Sequence, residues 1–471
     1  MKTLLILTIS IMTITAQTKN RELQQLIENG EFSKAGEKID SIITYGNITS
    51  EEKLALLFEK ERMERIKKDF RLTEDKLLEY IRKYIPNATV KDLQIWGKEG
   101  YLEFKLIDGK KYYFNRAHTN FFLLNKYAKN IKSKIERTQR DKFRDYLQNL
   151  ISGIKDEIQT NKSNTVSPVV FNINYKLSVY PNVVPNNEII RCWLPFPREG
   201  HRRQTDIEFI SANTDEYVVA SNEHLQRTVY LEKKAVKDSA TVFNITFKLK
   251  SYAQKFEITP DEIKPYDTGS KLYRLYTSER APHIVFTEKI KELSEKIIGD
   301  ENNPYLIAKK IFTWISKNIP WAGAREYSTI RNISEYCITN MHGDCGIKAM
   351  LFITLCRYNG IPAKWQSGWM LHPGFVNLHD WAEIYFEGIG WIPVDQSFGL
   401  IDSDDEFTKY FYFGGIDAYH LIINDDFSQP LFPAKIYPRS ETVDFQRGEV
   451  EWRGGNLYFD DWDYDMHVEY K

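Results

Sequence analysis

A helix followed directly by three strands, between residues 345 and 395, constrains the fold of this chain more than any other feature. Residues 347–358 have the composition of a buried helix, and the sequence Asn359-Gly360-Ile361-Pro362 is a strong signal for its end. Three apolar strands follow with only short turns between them: residues 363–370, 378–386 and 391–395. Because strands joined by such short turns pair antiparallel, this segment predicts a helix packed against an antiparallel sheet.

Three side chains that can carry out thiol chemistry lie on this unit. Cys345 is in the first turn of the helix, where the helix dipole and free N–H groups lower the pKa of a thiol. His379 and Asp395 lie on adjacent strands, so they can lie side by side. A thiolate needs an imidazole to protonate the leaving amine, and the imidazole needs a carboxylate to fix its tautomer. Asp380 is a rival for the carboxylate, but neighbouring strand residues point to opposite faces, which favours Asp395.

Several motifs here resemble those of the bacterial transglutaminase-like family. They are Gly343-x-Cys345, Cys345 to Ala349, Gly360-Ile361-Pro362-Ala363, His379-x-Trp381-x-Glu383 and Gly390-Trp391-x-Pro393-Val394-Asp395. The resemblance covers roughly residues 300–400 and implies a papain-like α+β core. It implies that Cys345 is the nucleophile, His379 the general acid/base and Asp395 the orienting acid. The implied activity is thiol-mediated acyl transfer or hydrolysis on amide or peptide substrates.

Hydrolysis by a peptidase or amidase is favoured over cross-linking, since the chain has no Asp-x-Asp-x-Asp-Gly calcium loop. The acidic clusters at 402–406 and 460–465 read as solvated surface. His342, Cys345 and His379 are too few for a closed zinc site, so neither a metal nor a cofactor is predicted. An alternative function is an inactive transglutaminase fold that binds a protein or glycan. Because related cores cleave the amide of asparagine-linked glycans, an amide-containing glycoconjugate stays open as a substrate.

Candidate substrate-binding residues flank the predicted triad. Trp369 and Trp381 are candidates to line an acyl pocket, and His372 to touch substrate from the preceding loop, although strand tryptophans usually pack in a core. The Cys345 backbone N–H is the first predicted oxyanion donor. The second is predicted upstream, at Trp321 or Tyr327.

The chain as a whole is predicted to be α+β and multidomain. Changes between helical and alternating periodicity separate a mainly helical region with a β-hairpin, a β-sandwich, the transglutaminase-like catalytic core and a C-terminal β-hairpin region: residues 17–158, 169–256, 270–425 and 430–471. Helices followed by a hairpin are also found in winged-helix DNA readers. With 64 basic and 65 acidic side chains, however, the chain has no basic field that would bind nucleic acid.

Residues 1–16 have the order of a secretory signal peptide. Lys2 precedes the apolar stretch 4–14, and the small residue Ala16 stands before Gln17. The stretch is too short to span a membrane, and no later run is long and apolar enough to do so. The sequence therefore predicts a periplasmic or extracellular protein with no integral membrane segment after signal removal. It leaves the oligomeric state open.

Overall fold

The structure is a computed structural model that describes residues 21–135 and 139–471. The predicted signal peptide at residues 1–16 lies outside this part of the chain. Every helix in the described ranges is too short or too polar to cross a bilayer. The described chain forms two compact units, and each is described by itself.

The first unit, residues 1–137 and 322–331, is mainly helical. Its elements are α1 (Arg21–Glu28), α2 (Phe32–Tyr45), α3 (Ser50–Asp69), α4 (Glu74–Arg82), α5 (Val90–Lys98), β1 (Phe104–Ile107), β2 (Lys110–Tyr113), α6 (Ala117–Leu124) and α7 (Lys126–Ile135). Strands β1 and β2 form an antiparallel hairpin whose turn holds Asp108 and Gly109 at positive φ, the geometry that an Asp-Gly turn favours. The Asn120 side chain bonds the backbone N–H and carbonyl of Gly323, each at 2.8 Å.

The second unit, residues 138–321 and 332–471, contains the long strands and the predicted catalytic core. Its helices are α8 (Gln139–Asn161), α9 (Lys271–Thr277), α10 (Glu288–Ile298), α11 (Pro304–Asn318), α12 (Ile333–Asn340), α13 (Cys345–Tyr358) and α14 (Glu406–Lys409). Its strands are β3 (Thr165–Val179), β4 (Ile189–Pro195), β5 (Gln204–Ala212), β6 (Tyr217–Val219), β7 (Thr228–Lys234), β8 (Thr241–Lys255), β9 (Ala363–Met370), β10 (Asn377–Phe386), β11 (Gly390–Val394), β12 (Gly415–Ile416), β13 (His420–Asn424), β14 (Glu449–Trp452), β15 (Gly455–Leu457) and β16 (Trp462–Tyr470).

Two five-stranded antiparallel sheets share one hydrophobic core. The first has the order β12-β8-β3-β16, with β5 also paired to β8, and the second has the order β15-β14-β4-β7-β6. Alternate residues of β3 and β8, such as Ile173 and Phe247, point into this core together with Val450 from β14. Such alternation places one face of each strand against apolar neighbours and the other face toward more polar surroundings.

The C-terminal strands pair with strands outside the region to which the sequence assigns them. The sequence separates residues 430–471 as a hairpin region, whereas β14 pairs with β4 and β16 pairs with β3. Helix α8 also continues to Asn161, past the predicted end of the helical region at residue 158. Local periodicity indicates a strand but not its partner, so pairing over long sequence distances is invisible to it. The division into domains stays a prediction.

A four-stranded antiparallel sheet, in the order β11-β10-β9-β13, packs with α13. Residues 346–357 of α13 are all buried, and the helix ends before Gly360, which has a φ of +71°. A glycine takes this left-handed conformation without a steric penalty. The predicted α+β fold class, with a helix against an antiparallel sheet, is confirmed.

Candidate active site

The turn before α13 fixes the position of Cys345. The Asp344 side chain accepts the backbone N–H of Ile347 at 3.1 Å and so caps the helix. A Cβ added at Gly343 would lie 2.3 Å from a methyl carbon of Ile347, so the turn requires glycine. The backbone of Trp321 forms a parallel bridge with Gly343. Of the two predicted sources of an oxyanion donor, Trp321 lies beside this turn, and Tyr327 belongs to the first unit.

The imidazole of His379 and the carboxylate of Asp395 form a buried pair. His379 Nε2 lies 2.6 Å from Asp395 Oδ2. The other carboxylate oxygen, Oδ1, accepts the backbone N–H groups of Ser397 at 2.8 Å and Phe398 at 3.0 Å. Burial opposes ionisation, but the charge and hydrogen bond of His379, followed by those of His420, hold the pKa of Asp395 below its ordinary value. The carboxylate is therefore ionised at neutral pH and able to orient the ring.

The thiol of Cys345 has a different partner. Its Sγ donates to Asp380 Oδ2 at 3.3 Å, and among the described residues no hydrogen bond joins Sγ to His379. Burial of the sulfur, followed by the charges of Asp380 and Asp344, raises the pKa of the Cys345 thiol well above its ordinary value. The sequence predicted a lowered pKa from the helix dipole. Desolvation and two nearby carboxyl groups outweigh the dipole, so the thiol is neutral in this arrangement.

Asp380 belongs to a buried polar network on the thiol side of the sheet. Gln446 donates to Asp380 Oδ1 at 2.8 Å and to the backbone carbonyl of His379 at 2.7 Å. Burial and the neighbouring Asp444 carboxyl raise the pKa of Asp380 well above its ordinary value, and burial also raises the pKa of Asp444. Two adjacent buried carboxyl groups cannot both ionise cheaply, so a proton stays on the pair. The sequence did not predict that Asp380 contacts the thiol.

A second buried network extends from Asp395 on the imidazole side. His420 Nε2 lies 3.1 Å from Asp395 Oδ2, and His420 Nδ1 lies 3.1 Å from Asp417 Oδ1. His372 Nε2 is also 3.1 Å from Asp417 Oδ1, and the Tyr412 hydroxyl donates to Oδ2 at 2.8 Å. The sequence reasoning missed His420 and Asp417, because β13 pairs with β9, a strand about fifty residues earlier in the chain.

Two sets of side chains in this network have the composition of a metal site. They are His379, Asp395 and His420, and His372, Asp417 and His420, each with donor atoms within 4.8 Å of one another. The carboxylates are already satisfied: backbone N–H groups bind Asp395 Oδ1 and Asp417 Oδ1, while imidazole and hydroxyl groups bind the other oxygens. Each oxygen of the two carboxylates has a hydrogen-bond donor, and we assign no metal ligand.

The three predicted substrate-binding residues are fully buried. The Trp369 ring stacks on Tyr175 at 5.0 Å within the core shared with the β-sandwich. Trp381 donates to the Gln366 side chain at 2.7 Å, and His372 pairs with Asp417. Strand tryptophans on an inward face bury large apolar area, which explains their placement. Their side chains pack inside the protein in this conformation, and a role in binding substrate stays a prediction.

Half-buried aromatic side chains do lie next to His379. The Phe398 ring centroid is 4.7 Å from that of His379, and Phe143 of α8 is 5.3 Å from Phe398. Phe375, in the loop between β9 and β10, lies 4.8 Å from Phe143. The sequence reasoning assigned α8 to the helical region and missed this cluster. Its position beside the imidazole fits a wall of a substrate cleft.

Comparisons with known proteins identify the class of this core. Residues 291–396 match the profile of the Transglutaminase-like superfamily, and this range includes Cys345, His379 and Asp395. Residues 291–396 therefore form a transglutaminase-like domain.

Three relatives are similar to larger parts of the chain. An uncharacterized protein of Haemophilus influenzae is 26% identical over 300 residues, which span 54% of this chain and 79% of that protein. The crystal structure of a predicted cysteine protease from Cytophaga hutchinsonii aligns with 17% identity and a TM-score of 0.44, covering 65% of this chain and 91% of the other. The periplasmic domain of TgpA from Pseudomonas aeruginosa aligns with 11% identity and a TM-score of 0.25, covering 52% and 91%. Alignments this loose establish neither a substrate nor an activity for this chain.

Proposed function

We propose that this protein is a thiol hydrolase that cleaves amide bonds of peptide or protein substrates, with Cys345, His379 and Asp395 as its catalytic triad. The observation that carries the proposal is the buried 2.6 Å contact between His379 Nε2 and Asp395 Oδ2. It lies inside the transglutaminase-like domain, one residue along β10 from the carboxyl that holds the Cys345 thiol. A thiol at a helix start and an oriented imidazole are the two groups that amide cleavage by cysteine requires.

The reaction follows from the roles of these groups. Asp395 holds Nε2 of His379, which leaves Nδ1 to accept the thiol proton. The Cys345 sulfur then forms a bond with the substrate carbonyl carbon, and the backbone N–H of Cys345 stabilises the oxyanion. The imidazolium protonates the amine as the C–N bond breaks, which leaves a thioester. Water attacks the thioester, passes its proton to His379, and releases the carboxylic acid and the free thiol.

Activation requires the thiol to leave Asp380. In the resting arrangement the Cys345 thiol is protonated and hydrogen-bonded to a carboxyl group rather than to an imidazole. A substrate that enters the cleft and displaces this contact allows Sγ to turn toward His379. Hydrolysis is the preferred outcome over transfer to a second amine, because water needs no separate binding site.

The same contact favours the rival function, a transglutaminase fold that binds a protein or glycan partner without turnover. A thiol held neutral by Asp380 is a poor nucleophile. The rival predicts that Cys345 resists alkylation in the folded protein at every pH at which it stays folded, and that substitutions in the triad leave partner binding intact.

Cysteine labelling and turnover separate the two functions. We expect iodoacetamide to modify Cys345 faster than the three buried cysteines, as located by mass spectrometry, and His379→Ala to slow this labelling. With a peptide substrate found by library screening, Cys345→Ala should reduce kcat/KM by about a thousandfold or more.

Cys356→Ala is the matched control, because this cysteine is buried on the same helix away from the triad. It should leave the kcat/KM unchanged. Equal turnover by Cys345→Ala and the unaltered protein would sink the proposed triad.

Export is a further part of the proposal. It rests on the order of residues 1–16 and predicts a periplasmic or extracellular substrate.

A further inference from the structure

We propose that His420 is a positioning residue, a buried imidazolium that bridges Asp395 and Asp417 and so holds Asp395 in place for His379. Its importance for catalysis rests on the proposed function, whereas its charge and contacts do not. No motif in the sequence marks His420. It is the first residue of β13, which pairs with β9 in the core sheet and so enters the site from outside the segment that carries the triad.

The geometry places His420 between two carboxylates. Its Nε2 lies 3.1 Å from Asp395 Oδ2, and its Nδ1 lies 3.1 Å from Asp417 Oδ1. Only the imidazolium form has an N–H on Nε2 for the hydrogen bond to Asp395 together with an N–H and a positive charge facing Asp417 at an ion-pair distance. All three side chains are completely buried.

Electrostatics favours the same protonation state. Two ionised carboxylates buried a few ångströms apart need a cation between them. Burial opposes the charged form of His420, but Asp417 and the hydrogen bond to Asp395 raise its pKa above the ordinary value. Arg203 donates to the backbone carbonyl of His420 at 2.6 Å and to Ser251, not to either carboxylate. The titratable or charged groups that face the His420 ring or its backbone are Asp395, Asp417, His372, His379, Tyr412 and Arg203.

His420 acts on His379 through a carboxylate oxygen that both rings contact. Asp395 Oδ2 accepts from His379 at 2.6 Å and from His420 at 3.1 Å, and the two ring centroids are 5.2 Å apart. A positive His420 draws on the same carboxylate and repels a second positive charge on His379. It therefore fixes the oxygen that orients the His379 ring, and loss of His420 should slow turnover more than it weakens substrate binding.

Nitrogen-15 NMR of histidine-labelled protein tests the charge directly and requires no turnover. In the unaltered protein we expect the His420 ring to carry protons on both nitrogens at pH 7, with its signal assigned by its loss in His420→Gln. In His420→Gln the side-chain amide can still donate to Asp395, but the charge is gone. With the peptide substrate, kcat should then fall by about tenfold or more while KM changes by less than about twofold.

His467→Gln is the matched control, because its side chain is 69% exposed and lies on β16. It should leave kcat and KM unchanged. Asp417→Asn is a second variant should His420→Gln fail to fold: it removes one carboxylate, and the pKa of His420 should fall. A neutral His420 at pH 7 in the unaltered protein, or an unchanged kcat in His420→Gln, would overturn the proposal. Failure of the triad proposal alone would appear as absent turnover in the unaltered protein while His420 still carries protons on both ring nitrogens.

Discussion

Asp380 and His379 are neighbours on β10 and have different partners. His379 contacts Asp395, and Asp380 accepts the thiol of Cys345 while Gln446 binds both residues. The carboxyl that accepts the thiol and the imidazole that contacts Asp395 are thus adjacent residues of the strand. This arrangement makes Asp380 a residue that restrains the thiol at rest.

Removing the Asp380 carboxyl should release that restraint. In Asp380→Asn the side-chain amide can donate a hydrogen bond to the sulfur, which stabilises the thiolate, so the pKa of Cys345 should fall. For each unit of that fall, the rate of Cys345 alkylation by iodoacetamide at pH 7 should rise roughly tenfold. Labelling rates across pH, with the site located by mass spectrometry, measure the effect.

The exposed Asp404→Asn variant serves as the control and should alkylate like the unaltered protein. A labelling rate for Asp380→Asn equal to or below that of the control contradicts the restraining role.

How much of the site the sequence predicts depends on sequence distance. His379 and Asp395 lie on adjacent strands with a short turn, so their proximity follows from local periodicity. The contact of Asp380 with Cys345 depends on how the start of α13 meets the sheet, and strand alternation carries no information on that. His420 lies on β13, which pairs with β9 although the two strands are not consecutive in sequence. A single sequence gives no signal of such pairing.

Strand β13 is the element that carries the second imidazole into the site, and a glycine in β9 allows it to approach. A Cβ added at Gly368 would lie 2.0 Å from the Leu421 carbonyl oxygen and 2.8 Å from the backbone nitrogen of Ile423. Backbone atoms of a paired strand cannot move aside like a flexible side chain.

Substitution of this glycine should therefore weaken the sheet. We expect Gly368→Ala to lower the free energy of unfolding by about 2 kcal/mol or more, measured by urea denaturation. Gly153→Ala is the control, because Gly153 is exposed in α8 with no atom within 4 Å of an added Cβ. That variant should gain up to about 1 kcal/mol from higher helix propensity. Equal stabilities of the two variants would show that β13 tolerates displacement from β9.

The predicted export of the whole molecule has a direct chemical test. If residues 1–16 are a signal peptide, the mature protein begins at Gln17, after the small residue Ala16. We expect intact-mass and N-terminal peptide analysis of protein from the producing cell to show this start, and a fusion to alkaline phosphatase to be active outside the cytoplasm. A charged substitution in the apolar stretch, Leu5→Arg, should retain the protein unprocessed, whereas Leu5→Val should not. A mature protein that starts at Met1 contradicts export by this route.

At the scale of the whole molecule, the sequence predicts which helices and strands form better than it predicts which strands pair with each other. The α+β class, the helix on an antiparallel sheet and the family resemblance all follow from residues that are close in sequence, and they are confirmed. The assignment of β14 and β16 to the sheets of β4 and β3 does not follow, because hydrophobic alternation is the same for a strand in a hairpin and a strand in a distant sheet.

The pairing of β16 with β3 sets the order in which the second unit can be completed. Asn172 and Glu469, which face each other across this pair, are 297 residues apart in sequence. During synthesis or translocation, β3 cannot pair with β16 until almost the whole remaining chain has emerged. Contacts between residues so far apart in sequence also form slowly. Cys345, His379 and Asp395 all lie inside that loop. We expect the assembled active site to be a property of the released chain, formed after synthesis rather than during it.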